Sequence, residues 1–147
     1  MNDKKGEARR WFQQACHDLK AAQWNTDGGF HDTACFLAQQ AGEKALKSLM
    51  YYQGLRRSAM MTHSLVEMVQ KSVGNMVELG GLLEEARSLD LHYIPSRYPN
   101  GLPSGYPHHF YGQETAKKAI AAAEKIVDFI TEYYRDRGED ELIRTET

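Results

Sequence analysis

The sequence predicts an all-α protein, folded as an antiparallel up-and-down helical bundle of four main helices plus a short helix. Two observations indicate this class. Apolar residues recur every three or four positions in five segments, the spacing that lines one face of a helix, and no segment alternates as a strand would. The loops between these segments are mostly brief, as between antiparallel neighbours in a bundle. The 147 residues suit one domain.

The first two helices are predicted over residues 4–26 and 30–54, separated by the turn-forming residues 25–29. The core stripe of the first helix is Ala8, Phe12, Ala15, Leu19 and Ala22. The stripe of the second is Phe30, Ala34, Leu37, Ala41, Ala45, Ser48 and Tyr52. Its more polar faces carry Gln40, Glu43, Lys44 and Lys47.

Three further helices follow the basic loop that ends at His63. The pattern from Ser64 to Glu67 is typical of a capping box and starts a short third helix, which ends before Gly74. It carries Leu65, Met68, Val69 and Val73. The fourth helix is predicted from about 76 to 92, with a bend or a late start because Gly80 and Gly81 weaken its first turns. Its stripe is Leu79, Leu82, Ala86, Leu89 and Tyr93.

The prolines Pro95, Pro99, Pro103 and Pro107 all fall within 94–112, and this segment is predicted to be loop, because proline removes an amide donor and clashes with the preceding turn. The last long helix is predicted over 113–137. Its core stripe is Ala116, Ile120, Ala123, Val127, Ile130 and Tyr134. The charged tail, 138–147, is expected to fray.

Composition and the absence of familiar motifs exclude several classes of function. A formal charge of −2 gives no overall attraction to nucleic acid or acidic membranes, so any anion site must be a local concentration of cations. No apolar run is long enough for a membrane span and the N-terminus lacks the core of a secretory signal, so we expect a cytoplasmic protein that does not enter a membrane. Phosphate-loop, HExxH, GxSxG and di-iron patterns are missing. We therefore expect no metal and no cofactor.

The segment 91–113 carries the chemistry that the rest of the chain lacks. It contains no acidic residue, but holds Arg97, three histidines, four tyrosines and Phe110. Cations for phosphates and aromatic faces for bases occur there together, which favours a nucleotide or RNA ligand. The alternative is that these rings only fix a long loop to the bundle. Loops of this length in compact domains are more often functional than idle.

Arg87 and His92 offer a second interpretation. A guanidinium can hold a phosphate bidentately and a histidine can transfer a proton, which together could cleave RNA without metal. Five positions along a helix rotate two side chains by about 140°, so Arg87 and His92 share a face only if the helix unwinds at its end or if two chains build the site. Arg56 or Arg57 with His63 is a second, equally loose pair, in the loop before the third helix.

The chain resembles the HEPN domain family over about residues 7–135. The resemblance rests on WFQQACHDLKAA, FLAQQAGEKALKSLMYYQG, THSL and LHYIPSRYP, of which the stretch Tyr93–Pro99 is the most distinctive. It implies an up-and-down bundle, commonly dimeric, that is often encoded beside or fused to a small nucleotidyltransferase. Some members are described as metal-independent ribonucleases with an arginine, four to six residues and a histidine near a helix end. Arg87 and His92 match that spacing, but Pro95 and Pro99 interrupt the helix that such nucleases continue.

Three hypotheses follow. In the leading one, a dimeric HEPN-like domain binds a nucleotide or RNA phosphate and acts with a nucleotidyltransferase partner. Its expected binding residues are Arg97, Tyr93, Tyr98, Arg87 and His63. In the second, the chain is a toxin-like endoribonuclease whose catalytic residues are Arg87 and His92. In the third, it is a dimerising scaffold partner without a ligand of its own.

Overall fold

The computed structural model describes residues 3–73 and 77–145. Seven α-helices occur in these residues: α1 Lys4–Asp27, α2 His31–Tyr52, α3 Leu65–Val73, α4 Leu83–Asp90, α5 Pro107–Phe110, α6 Gln113–Asp136 and α7 Asp140–Ile143. Three 3-10 segments occur as well: Arg57–Met60, Val77–Leu82 and Pro99–Gly101. The described ranges contain no strand. The all-α helical bundle is therefore confirmed.

Helix α2 is the centre of the bundle and packs against α1, α3, α4 and α6. Small residues allow these helices to approach closely. A Cβ built on Gly42 would lie 2.7 Å from Cδ2 of Leu65 and 3.0 Å from Cδ1 of Leu89, so only glycine fits that crossing without displacing a neighbour. Because α2 has neighbours on every side, most of its surface is buried.

The predicted stripes of the first and last long helices are confirmed. Ala8, Phe12, Ala15 and Ala22 are buried, and Leu19 packs against the same core. All six predicted residues of α6 are buried, from Ala116 to Tyr134. Ala119, Ala122 and Ile126 of α6 are buried as well, so the face that α6 packs against the bundle is wider than the predicted stripe.

The prediction for α2 is partly wrong. Phe30 precedes the helix as its N-cap and is 58% exposed, so it is not a core residue. Glu43 and Lys47, assigned to a polar face, are only 4% and 8% exposed. They can be buried because Nζ of Lys47 lies 3.1 Å from Oε2 of Glu43, and paired charges tolerate burial that single charges do not.

The late start of the fourth helix is confirmed. The regular helix begins at Leu83, after the 3-10 segment that contains Gly80 and Gly81, and it ends at Asp90, two residues before the predicted end. Tyr93 therefore lies beyond the helix. The predicted turn at Gly74 and Asn75, the helix start at 76 and the side chain of Val73 lie outside what the structure describes.

Two segments predicted to be irregular contain single helical turns. Within 94–112, Pro99–Gly101 and Pro107–Phe110 each begin with a proline, which has a suitable φ and needs no amide partner in a first turn. The tail does not fray over Asp140–Ile143, which forms α7. Nε2 of Gln13 donates to the carbonyls of Leu142 and Arg144, 3.0 Å from each, and Leu142 is buried. The structure does not describe residues 146 and 147.

None of the described helices combines the length and the apolar character that crossing a membrane requires.

Candidate functional site around Arg97

The chain leaves α4 through a series of turns instead of a straight loop. The amide of His92 donates to the carbonyl of Leu89 at 3.0 Å, and the amide of Arg97 donates to that of Ile94 at 3.0 Å. Pro95 has no amide hydrogen to continue the helix. The hydroxyl of Ser96 donates to the carbonyl of His92 and ties the turns together. This compact path brings residues 93, 97 and 98 to one place.

Arg97 is surrounded by aromatic rings. Its guanidinium carbon lies 4.3 Å from the ring centre of Phe36, 4.8 Å from that of Tyr93 and 4.9 Å from that of Tyr98. Its Nε donates to the carbonyl of Tyr93 at 2.9 Å. Among the residues that the structure describes, no carboxylate pairs with Arg97. Its terminal nitrogens therefore remain available for a planar, bidentate contact with an anion.

His63 joins this cluster from the start of the third helix. Its ring stacks on Tyr93 with centres 4.8 Å apart and planes 19° apart. Its Nδ1 lies 3.4 Å from a carboxylate oxygen of Glu43. The same carboxylate accepts from Lys47 and from Gln39, each at 3.1 Å. The buried Glu43 thus orients His63, and His63 in turn supports the ring of Tyr93.

Asp90 fixes the start of α3 to the end of α4. Its carboxylate accepts from the amides of Leu65 at 2.7 Å and Val66 at 3.2 Å, and from the hydroxyl of Ser64 at 2.8 Å. Half of the predicted capping box is present, since Ser64 Oγ accepts from the amide of Glu67 at 3.2 Å. The carboxylate of Glu67 does not return to the amide of Ser64. That amide donates instead to Thr62 Oγ1 at 3.0 Å.

Asp90 and Phe36 are residues of this region that the sequence reasoning missed. An acidic residue in the last turn of a helix opposes that helix's own dipole. The position of Asp90 in its own helix could therefore have indicated that its carboxylate caps the N-terminus of another helix. Phe36 gave no comparable signal, because one aromatic residue on a predicted helix is expected to be core.

Replacing Asp90 with alanine is expected to lower the free energy of unfolding by about 1–2 kcal/mol, the usual cost of losing a helix cap. Three donors at the start of α3 would lose their acceptor. Urea denaturation measures the change. Asp136→Ala, at an exposed position at the end of α6, is the matched control. Equal stability of the two variants would contradict the capping role.

Arg87 and His92 make no contact with each other in the described residues. Arg87 is exposed on α4 and makes no ion pair, hydrogen bond or ring contact within the described part of the chain. His92 is partly buried, with Nδ1 3.2 Å from the hydroxyl of Tyr111. Burial lowers the pKa of His92 and raises that of Tyr111 to about 12. The phenol therefore keeps its proton at neutral pH and can donate it to the uncharged imidazole.

The lowered pKa of His92 predicts a loss of stability in mild acid. The unfolded chain takes up a proton near the ordinary value of 6.5, whereas the folded chain resists it, so stability falls as the pH drops below that value. Urea denaturation at neutral and mildly acidic pH should show a smaller loss for His92→Gln than for the parent. An identical loss in both proteins would contradict burial of an uncharged imidazole.

The other predicted pair does not form. His63 turns toward Glu43 and Tyr93, whereas Arg56 and Arg57 are exposed and line a groove beside α1. Of the two adjacent loop histidines, His108 has Nδ1 3.7 Å from a carboxylate oxygen of Asp32. No group of three or more metal-ligating side chains converges anywhere in residues 3–73 and 77–145.

Comparisons with known proteins agree on one family. The sequence model of the HEPN domain matches residues 8–133. The crystal structure of TT1696 from Thermus thermophilus has a TM-score of 0.80 and 36% identity, covering 90% of this chain and 98% of that one. ST0689, described as an archaeal HEPN homologue, has a TM-score of 0.71 and 31% identity, covering 86% of this chain and 97% of that one. A HEPN domain protein from Thermotoga maritima has a TM-score of 0.68 and 28% identity, covering 86% of this chain and 98% of that one. No curated protein matches.

Proposed function

The chain belongs to the HEPN domain family, and from that premise we propose that it binds the phosphate of a nucleotide or RNA at Arg97. The observation that carries this proposal is a guanidinium held by three aromatic rings and one carbonyl, with no carboxylate partner in the described residues. Here the charge remains available to a ligand.

The neighbouring side chains have different parts in this proposal. Tyr98 is 49% exposed, so its ring has area for a base or ribose to stack on. The ring of Tyr93 already contacts both His63 and Arg97, so it acts mainly by positioning the guanidinium. His63 is exposed and stacks on Tyr93, so it offers a further donor to phosphate oxygens. Arg87 is exposed on α4 without a contact to this cluster in the described residues, and in this proposal it reaches the phosphate only from outside the cluster.

Titration calorimetry with ATP, GTP and short single-stranded RNA tests the proposal. Binding is expected for at least one of these ligands, and it should weaken as salt is added, because phosphate contacts release counterions. No heat with any of them at millimolar concentration would contradict the proposal and would favour a scaffold without a ligand.

A metal-independent endoribonuclease is the second candidate function. The observation in its favour is that α4 ends at Asp90. His92 therefore lies beyond the helix, and the rotation that a continuous helix would impose between Arg87 and His92 does not apply. Against it, Tyr111 can donate to Nδ1 of His92, which leaves the ring proton on Nε2 and makes that nitrogen a donor at neutral pH. RNA cleavage in the presence of a chelator, lost in both Arg87→Ala and His92→Ala, would establish catalysis. Intact RNA would exclude it.

Assembly with a second copy and with a nucleotidyltransferase is also part of the proposal. Large apolar side chains are exposed close together in sequence, including Leu91 at 71%, Tyr106 and Phe110. Large exposed apolar side chains leave water when a second copy docks on them. Sedimentation equilibrium is expected to give twice the chain mass of 16.7 kDa. Copurification with a nucleotidyltransferase encoded beside the chain tests the second partner.

A further inference from the structure

A basic groove lies between the N-terminal half of α1 and the segment that follows α2. It has a volume of about 1260 Å³ and is lined by six lysine and arginine side chains: Lys4, Arg9, Arg10, Lys44, Arg56 and Arg57. Only two carboxylates, those of Asp3 and Glu7, line it with them. No residue of 91–113 contributes to the groove, so it is separate from the Arg97 site.

Part of this charge is neutralised, since Glu7 pairs with Arg10 at 2.8 Å and Asp18 pairs with Lys44 at 2.5 Å. Asp3 caps α1 by accepting from the amide of Gly6 at 2.8 Å. Lys4, Arg56 and Arg57 have no carboxylate partner in the part of the chain that the structure describes. The groove is therefore locally positive although the whole chain carries a formal charge of −2.

Aromatic rings line the same groove. Trp11 and Tyr51 stack with ring centres 5.9 Å apart and planes 29° apart, and both are partly exposed. The ammonium of Lys47 lies 5.4 Å from the ring centre of Trp11. Stacked rings beside a row of cations are the features with which proteins hold single-stranded nucleic acid, since rings receive bases while cations follow the phosphates.

We propose that the basic groove binds a single-stranded nucleic acid segment. Lys4, Arg56 and Arg57 contact its phosphates, and the exposed edge of the Trp11–Tyr51 pair contacts a base. The groove is larger than the roughly 300–1,000 Å³ typical of a small-molecule pocket, which favours a polymer over a single nucleotide. An acidic peptide would satisfy the cations but would leave the rings unused, so nucleic acid fits the lining better. This site goes beyond the proposed function and does not depend on it.

Tryptophan fluorescence tests the proposal directly. The chain has two tryptophans, and Trp24 is 80% exposed outside the groove, so Trp24→Phe leaves Trp11 as the only reporter. Titration of this variant with an oligouridine RNA should quench Trp11 to saturation. The logarithm of affinity should fall linearly with the logarithm of salt concentration, by about 0.7 per phosphate contacted.

Charge reversal provides the matched comparison. Adding Arg56→Glu and Arg57→Glu to the reporter variant should weaken RNA binding by at least about tenfold and reduce the salt slope by about 1.4. Lys117→Glu with Lys118→Glu makes the same change of charge at exposed positions on α6, outside the groove, and should leave the affinity nearly unchanged. Circular dichroism checks that all three proteins are equally helical.

Four results would overturn the proposal, the last of them in the variant Arg97→Ala. The first is RNA binding without quenching of Trp11, and the second is an equal loss of affinity in both charge-reversed variants. The third is equal quenching by polyglutamate, which would identify the groove as a site for acidic peptides. Arg97→Ala in the reporter background separates the two sites, because it should leave the quenching of Trp11 intact. If Arg97→Ala alone abolishes quenching, nucleic acid binds at the Arg97 site only.

Discussion

Replacing Glu43 with glutamine is expected to lower the free energy of unfolding by about 3 kcal/mol, because it leaves the buried ammonium of Lys47 without its counter-charge. Both side chains lie inside the bundle, and Nζ of Lys47 is 3.1 Å from Oε2 of Glu43. Glutamine has the same shape, so no cavity contributes to the loss. The ring of Trp11, 5.4 Å from Nζ, compensates only partly.

Urea denaturation of five proteins measures this effect. Adding Lys47→Met to Glu43→Gln removes the unpaired charge and should recover much of the stability, and Lys47→Met alone completes the cycle that gives the coupling energy between the two positions. Glu114→Gln is the control, because Glu114 is an exposed partner of Lys117 and should cost less than about 1 kcal/mol. A loss for Glu43→Gln as small as the control's would show that Lys47 is not buried as a charge.

Replacing Arg97 with alanine is expected to weaken nucleotide or RNA binding by roughly 30-fold, or about 2 kcal/mol, the range for a hydrogen bond to a charged group. Arg97→Lys keeps the charge but loses the planar, two-pronged donor, so we expect an intermediate affinity. Titration calorimetry with the ligand that binds the parent most tightly gives both values. The fold should persist, since no described acid depends on Arg97.

Arg137→Ala is the matched control for Arg97→Ala. The guanidinium carbon of Arg137 lies 3.8 Å from the ring centre of Tyr133, so this substitution removes another arginine that packs over a tyrosine. Arg137 follows the end of α6. Affinity should be unchanged in this variant. An equal loss in both would mean that cation–ring packing matters for stability in general and that Arg97 has no special role in binding.

The regular parts of the fold could be predicted because they depend on local spacing. The stripes from Ala8 to Ala22 and from Ala116 to Tyr134 each face one direction, and a period near 3.6 residues identifies such a face. Helix α2 could not be described in this way. Its neighbours surround it, so Glu43 and Lys47 are buried at positions where periodicity alone assigns solvent.

The candidate site could be predicted only in part, because its partners are distant in sequence. Arg97, Tyr93 and Tyr98 lie together in one short segment, and both rings contact the guanidinium. Their joint role in binding stays a prediction. Phe36 comes from α2 and His63 from the start of α3, and only the packing of helices brings them there. The order of the tail has a similar cause, since α7 is held by Gln13 of α1.

The most direct measurement of phosphate binding at Arg97 is nuclear magnetic resonance of the arginine Nε–Hε groups during titration with the nucleotide or RNA. The signal that is missing from Arg97→Lys identifies Arg97. We expect this signal to shift with the ligand and to saturate with the calorimetric affinity, while the signal of Arg137 stays unchanged. A ligand that binds the chain but leaves the Arg97 signal unmoved would contradict phosphate binding at this residue.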